Sequence, residues 1–266
     1  NPDYVIIDVR KANEFAKGHI PGALNIWRTN IVDSTLEYGG VMASREMIQK
    51  LLSSLGVQPT DMIVLYDNKG DVDAARFWWI LKTYGHSAAF LLDGGYKSWS
   101  ETEEVSTEVS ALEETKYQFP DEQNNELLAN LKDVEKAIKD PNTILLDTRT
   151  FDEYVGNMQK KGAFKKGRIP TSIHLDWANS VHYGGDQKFK SLKDLNYDFN
   201  AAGVTKDKNI IVYCQSGVRS AHTTFVLTEL LGYKNVKNYD GSWIEWSYSD
   251  LPIDTGIVIE EPTFVQ

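Results

Sequence analysis

Residues Asn209-Ile210-Ile211-Val212-Tyr213-Cys214-Gln215-Ser216-Gly217-Val218-Arg219-Ser220 carry the chain's only cysteine at the point where a β-branched apolar run stops. Such a run, four to five residues long and closed by small and polar residues, is the pattern of a strand buried on both faces. Directly after it, Val226, Leu227, Leu230 and Leu231 recur at helical spacing within Ala221 to Leu231, and Gly232 marks the stop. A strand that turns into a helix within a few residues puts Cys214 at the carboxyl edge of a parallel sheet. Open α/β folds bind their ligands there.

The same pattern occurs twice. Met62-Ile63-Val64-Leu65-Tyr66-Asp67 matches Asn209 to Cys214, and Tyr4-Val5-Ile6-Ile7-Asp8-Val9-Arg10 matches Thr143-Ile144-Leu145-Leu146-Asp147-Thr148-Arg149. Gly18-His19-Ile20-Pro21 pairs with Gly167-Arg168-Ile169-Pro170. Leu92-Asp93-Gly94-Gly95 and Trp99 pair with Tyr239-Asp240-Gly241-Ser242 and Trp246. The spacing holds: 27 residues separate Asp67 from Gly94 and Cys214 from Gly241, and 32 separate Asp67 from Trp99 and Cys214 from Trp246. Internal duplication of this kind predicts two copies of one α/β unit, each a mainly parallel sheet with helices on both faces. We place the first domain at residues 1–110, a polar, acidic linker at 111–125 and the second domain at 126–266, opened by a helix over Leu127 to Ile138. The Lys- and Gly-rich stretch from Gly156 to Lys166 reads as a loop insertion of the second copy. No counterpart to the Leu127–Ile138 helix precedes Tyr4, which leaves room for an upstream segment.

Of the 266 residues, 41% are apolar and 25% charged, the balance of an ordinary globular protein large enough for two cores. A net charge of −10 opposes binding to nucleic acid or an anionic membrane by counterion release. It would also repel a small anionic substrate, so such a substrate needs a local positive site. No apolar run is long enough to span a bilayer, and Asn1-Pro2-Asp3-Tyr4 lacks the basic and apolar regions of a secretory signal. Both features read as cytoplasmic. One cysteine and five scattered histidines exclude an intramolecular disulfide and the usual zinc spacings, so no metal is expected.

In the Cys214 loop, successive backbone N–H groups can turn inward around the sulfur, and the following helix points its positive end at the same place. Both favour the thiolate, the nucleophilic form. Gly217 supplies backbone freedom, and Arg219 adds a fixed charge and a forked donor set suited to an oxyanion. Ser216 and Ser220 read equally as ligands of that nest or as helix caps. Asp8 and Asp147, each two residues before an arginine, read as strand-end ion-pair formers. Trp99, Trp243 and Trp246 read as packing residues.

These motifs resemble the rhodanese family over nearly the whole chain. The likeness rests on Asp147-Thr148-Arg149, the Gly-His/Arg-Ile-Pro of both halves, and Cys214-x-x-Gly217 with its downstream Asp-Gly and Trp. It implies a sulfurtransferase that carries a sulfane sulfur as a persulfide on Cys214, with catalysis in the second domain and the first inert because Asp67 replaces the cysteine. It implies no organic cofactor. Gln215, Ser216, Gly217, Val218, Arg219 and Ser220 would bind the donor and persulfide, and Trp177 matches an aromatic that similar bacterial enzymes place near the site. The loop looks closest to bacterial thiosulfate-type tandem enzymes, so the implied donor is thiosulfate and the acceptor cyanide, a thiol or a dithiol. Mercaptopyruvate transferases typically have C-G-[ST]-G-V-[TA] instead. Animal-type tandem enzymes keep an arginine where this chain has Glu153, although Lys160, Lys161, Lys165 or Lys166 could supply another cation. Two further readings stay open: a sulfur-sensing or binding module, and a cysteine phosphatase, whose C-x5-R loop is one residue longer than the C-x4-R found here.

Overall fold

A computed structural model describes residues 4–120 and 125–256. Residues 1–3 and 257–266, at the outer ends of the two expected domains, and 121–124, in the expected linker, lie outside the described residues.

The first unit contains strands β1 (Tyr4–Asp8), β2 (Leu24–Asn25), β3 (Met62–Tyr66) and β4 (Ala89–Leu91). Its helices are α1 (Ala12–Phe15), α2 (Arg45–Ser54), α3 (Val72–Thr83) and α4 (Gly95–Thr102). The second contains β5 (Leu128–Ala129), β6 (Thr143–Asp147), β7 (Ile173–His174), β8 (Asn209–Tyr213) and β9 (Val236–Tyr239). Its helices are α5 (Leu131–Ala137), α6 (Phe151–Tyr154), α7 (Leu192–Ala201), α8 (Val218–Phe225) and α9 (Ser242–Tyr248). All strand pairs are parallel, in the orders β2-β1-β3-β4 and β5-β9-β8-β6-β7. In each sheet the strand leading to residue 67 or 214 is interior.

Alternation along the strands explains why both sheet faces are covered. Leu146, Ile210 and Val212 meet Leu195 and Phe199 of α7 and Val226 and Leu227 beyond α8. Their strand neighbours Leu145, Ile211 and Tyr213 face the other way, onto Val134 and Ala137 of α5 and Trp243 and Trp246 of α9. Trp243 and Trp246 are thus core residues, and Trp99 packs part-buried against the smaller cluster around Phe15 and Tyr66. Both strand-end acids pair with the arginine two residues on: Asp8 with Arg10 and Asp147 with Arg149, each at 2.6 Å and buried.

Three local expectations change. In place of a helix from Leu127, Leu128–Ala129 pair with β9, and Asn130 then caps a shorter helix through a reciprocal bond with Asp133. An Asx cap competes well with continued helix and sets the boundary there. The helix after Cys214 begins within a few residues, as expected, at Val218, but does not continue as regular α-helix and ends in a π-turn over Val226–Leu230. The linker does not run free either. Tyr117 and Phe119 are buried in the first core, and Thr115 N and Tyr117 N donate to Ser53 O and Oγ. The Gly156–Lys166 insertion has no regular structure and lies on α9, with Phe164 N donating to Ser247 Oγ at 2.9 Å.

The two units share a core. Helices α3 and α8 pack against each other, with Trp78 edge-on to Phe225 at 5.0 Å, and Ala221 and Phe225 belong to the first unit's cluster. Each of these helices begins at the end of its own loop, so the contact brings both loops to one boundary. Among the described residues no helix is long and apolar enough to cross a membrane.

Candidate functional site

Strand β8 delivers Cys214 to the boundary between the units, where the thiol is 1% exposed. Burial alone pushes a thiol toward the neutral form. Here it is outweighed by the Arg219 charge, the Ser220 hydroxyl 3.4 Å from Sγ, and the N–H groups of Ser220 and Ser216, so the thiol lies below its ordinary range. The Ser220 hydroxyl and the N–H groups of Ser216 and Ser220 are thus directed at the sulfur. The loop turns at Gly217, whose φ of +75° is left-handed. A β-carbon there would lie 2.7 Å from Arg76 Nη1 and 2.8 Å from Asp240 O, so glycine is required for space as well as conformation.

The loop is held from below by a residue the sequence reading did not single out. Ser242 Oγ accepts from Cys214 N at 3.2 Å and Gly217 N at 3.0 Å, and donates to Tyr239 O at 2.7 Å. Its φ of +51° is unusual for a residue with a side chain. The equivalent in the first unit is Gly95, where a β-carbon would approach Asp67 O to 2.3 Å. Backbone bonds from Trp243 N to Cys214 O and Ile244 N to Gln215 O complete the support from α9.

Arg219 is not a surface residue: its side chain is 12% exposed. Both terminal nitrogens engage Glu153, Nη1 to Oε2 at 2.7 Å and Nη2 to Oε1 at 2.9 Å. Burial pushes the Glu153 carboxyl up, but bonding to Arg219 and its charge bring it down to about 2. The acid is also held by its own helix, where Oε2 accepts from Thr150 N and Oγ1 in a capping box at the start of α6. Of the four lysines in the insertion, Lys165 is tied to Ser249 O, and Lys160 contributes charge toward Glu153.

The first unit contributes directly to the loop, which no local motif announced. Arg76, 1% exposed on α3, donates to Gly217 O at 3.3 Å and Gly40 O at 2.9 Å, and pairs with Asp240 Oδ1 at 2.5 Å. Asn238 Nδ2 donates to the same Gly217 carbonyl at 3.1 Å. Met42 N donates to Asp240 Oδ2 at 3.1 Å. Gly40 lies so close to Ser216 that a β-carbon on it would come within 2.6 Å of Ser216 Cβ.

The remaining expected residues are placed as follows. Gln215 is buried, its backbone tied to α9. Val218 packs with Val72, Val181 and Trp177. Trp177 also meets His222 edge-on at 5.1 Å, so it braces the first turn of α8.

In the first unit the equivalent nest is filled by the chain itself. Asp67 Oδ1 accepts from Lys69 N and Asp71 N at 2.7 and 2.9 Å, and Oδ2 from Asp73 N and Ala74 N at 2.7 and 3.2 Å. Burial and the neighbouring Asp73 raise its carboxyl to about 6, while the N–H groups oppose them. An anion at the head of a helix thus occupies the place that the Cys214 sulfur holds in the second unit.

Comparison with known proteins agrees with this geometry. The Rhodanese-like domain family matches twice, over residues 1–102 and 130–249. A provisionally named thiosulfate sulfurtransferase of Saccharopolyspora erythraea is 38% identical over 253 residues, covering 92% of this chain and 85% of its own. The sulfur carrier protein TtuD of Thermus thermophilus is 37% identical over 240 residues, covering 86% and 82%. Among solved structures, EanB in complex with ergothioneine superposes with a TM-score of 0.86 at 22% identity over 97% of this chain, a likeness of fold. This chain covers 66% of that longer one. With the family's domain present twice and a nest closed around a single buried thiol, the chain belongs to the rhodanese family of sulfurtransferases, as a tandem of two rhodanese-like domains.

Proposed function

We propose that the protein moves the sulfane sulfur of thiosulfate to a thiol acceptor, or to cyanide in assay, through a persulfide on Cys214. The observation that carries this reading is the set of donors converging on Sγ: the N–H groups of Ser216 and Ser220, the Ser220 hydroxyl and the Arg219 charge. The Cys214 thiolate attacks the outer sulfur of thiosulfate, the S–S bond of the donor breaks, and sulfite leaves with its electron pair. The product persulfide keeps one negative charge, which the same donors hold. An acceptor thiolate then attacks the terminal sulfur and regenerates the Cys214 thiolate. No redox partner is needed, because sulfur is only transferred. Gln215, Gly217 and Val218 shape the loop, and Trp177 supports it from behind through Val218.

A phosphatase would need Arg219 to offer two nitrogens to a phosphate. Glu153 already holds Nη1 and Nη2 end-on, and the C-x4-R loop is short for that group. The names of the relatives fit either a transferase or a carrier of sulfur, and both uses require the same persulfide.

The test is the intact mass of the protein after thiosulfate, then after mercaptopyruvate. A gain of one sulfur atom, lost on adding cyanide and absent from Cys214→Ser, is the expected result. Charging by mercaptopyruvate alone would change the donor, and no gain with either would leave a binding module.

A further inference from the structure

Within the Cys214 loop itself Arg219 supplies the positive charge that acts on the sulfur, yet several anions share it. Glu153 binds it through both nitrogens and is itself 2% exposed. The Cys214 thiolate and Asp176, part-buried at the start of the Trp177 turn, also interact with its charge. The nearby Asp147–Arg149 pair is internally neutral. Lys160 acts on Glu153 from the insertion loop. When Cys214 is ionised, one arginine therefore faces a thiolate and Glu153 before any donor arrives. Thiosulfate adds two negative charges to that balance.

We propose that Glu153 is a specificity-determining residue: by engaging Nη1 and Nη2 of Arg219 it narrows the advantage of thiosulfate over sulfane donors of lower charge. The proposal rests on the transfer reading above and concerns how its site ranks donors by charge. A thiosulfonate or an organic persulfide carries one charge or none, and meets the ion pair without the full repulsion that thiosulfate meets. A carboxylate-bearing donor finds the end-on Nη1/Nη2 pair of Arg219 already engaged by Glu153. The requirement is local, since Glu153 Oε2 also accepts from Thr150 N and Oγ1 and cannot swing away without opening the cap of α6.

The probe pair is thiosulfate and methanethiosulfonate, which differ by one oxygen anion replaced by a methyl group. The second donor charges Cys214 by the same displacement, releasing methanesulfinate in place of sulfite, so charge and atoms balance in both. Glu153→Gln should raise the ratio of kcat/KM for thiosulfate over methanethiosulfonate by about tenfold, the size of one charge acting on the extra charge of the dianion at short range in a partly solvated site. Glu153→Asp keeps the charge and should leave the ratio near that of the native protein. A ratio unchanged by Glu153→Gln, or an equal fall with both donors, would reduce Glu153 to a holder of Arg219 and overturn the proposal. A second readout needs no sulfur transfer: the ultraviolet titration of the Cys214 thiolate in donor-free protein. Freed of Glu153, Arg219 should pull the thiol pKa down by about one unit. If neither donor charges the protein, the transfer reading fails, and this titration still decides whether Glu153 neutralises Arg219.

Discussion

Replacing Arg76 by methionine tests whether the first domain holds the Cys214 loop. The side chain lies on α3, is 1% exposed, and joins Asp240 Oδ1, Gly217 O and Gly40 O within one buried cluster, with its guanidinium 4.8 Å from the Trp79 ring centre. Methionine fills the volume but leaves Asp240 buried, with Met42 N as its remaining donor in that cluster. Removing one partner of a buried ion pair costs about 3–5 kcal/mol, mostly the penalty of the charge left behind. Asp240→Asn keeps an acceptor for Met42 N and strands the arginine instead, though Arg76 still has two carbonyls, so its cost should be about 2 kcal/mol. The double variant contains no unpaired buried charge. Its cost should therefore fall short of the sum of the single costs by about 2 kcal/mol. Urea unfolding followed by tryptophan fluorescence measures all four corners of the cycle. Sulfur charging should drop in Arg76→Met as well, because Gly217 O loses a donor that fixes the turn beneath Cys214. Additive costs, or an Arg76→Met variant within 1 kcal/mol of the native protein by the scale of ordinary surface changes, would refute the idea that this pair fastens the loop.

Ser242→Ala removes the shared acceptor of Cys214 N and Gly217 N and should cost about 1–3 kcal/mol in thermal unfolding, with slower persulfide formation. Asp67→Ala empties the first domain's nest of its carboxylate; the variant should lose about 2–4 kcal/mol, and sulfate should raise its unfolding midpoint more than that of the native protein. Glu153 gives a pH signature. Its folded-state carboxyl, held down to about 2, lies below the ordinary value of 4.5, so its stabilisation is present above pH 4.5 and is lost as the pH falls toward 2. After allowance for solvent screening this is about 2 kcal/mol, and urea midpoints of Glu153→Gln across that window should show a shallower acid slope.

The fold was legible because its signals are local and doubled. Four motifs recur in order, the last two with equal spacing, and a β-branched run followed by a helical stripe has few alternatives to a parallel sheet. Where reading failed, the competing signal was a cap or a contact. Leu127–Leu128 looks helical until Asn130 caps, and Tyr117 and Phe119 look like linker residues until they find the first core. Cys214 could be singled out because a lone cysteine between a strand and a Gly-Arg helix start carries its chemistry in one short segment.

Residues such as Arg76, Gly40 and Ser242 were beyond local reading as members of that site, and Glu153 was marked only as a departure from related enzymes, without its Arg219 partner. The four lie 141, 176, 28 and 66 positions from the loop residues they touch, and nothing in their neighbours marks the partner. Sequence alone determined the duplicated parallel α/β units, the single cysteine at a strand end and the aspartate at the matching place in the first copy. These follow from periodicity and residue chemistry within a dozen positions. Only the tertiary structure decided what surrounds the thiolate: that the first domain fastens the loop through a buried arginine, and that Arg219 is already paired with Glu153. Charge balance in a buried site depends on which groups the packing of α3, α6 and α8 brings within a few ångströms, and that sum is written in no single stretch of the chain.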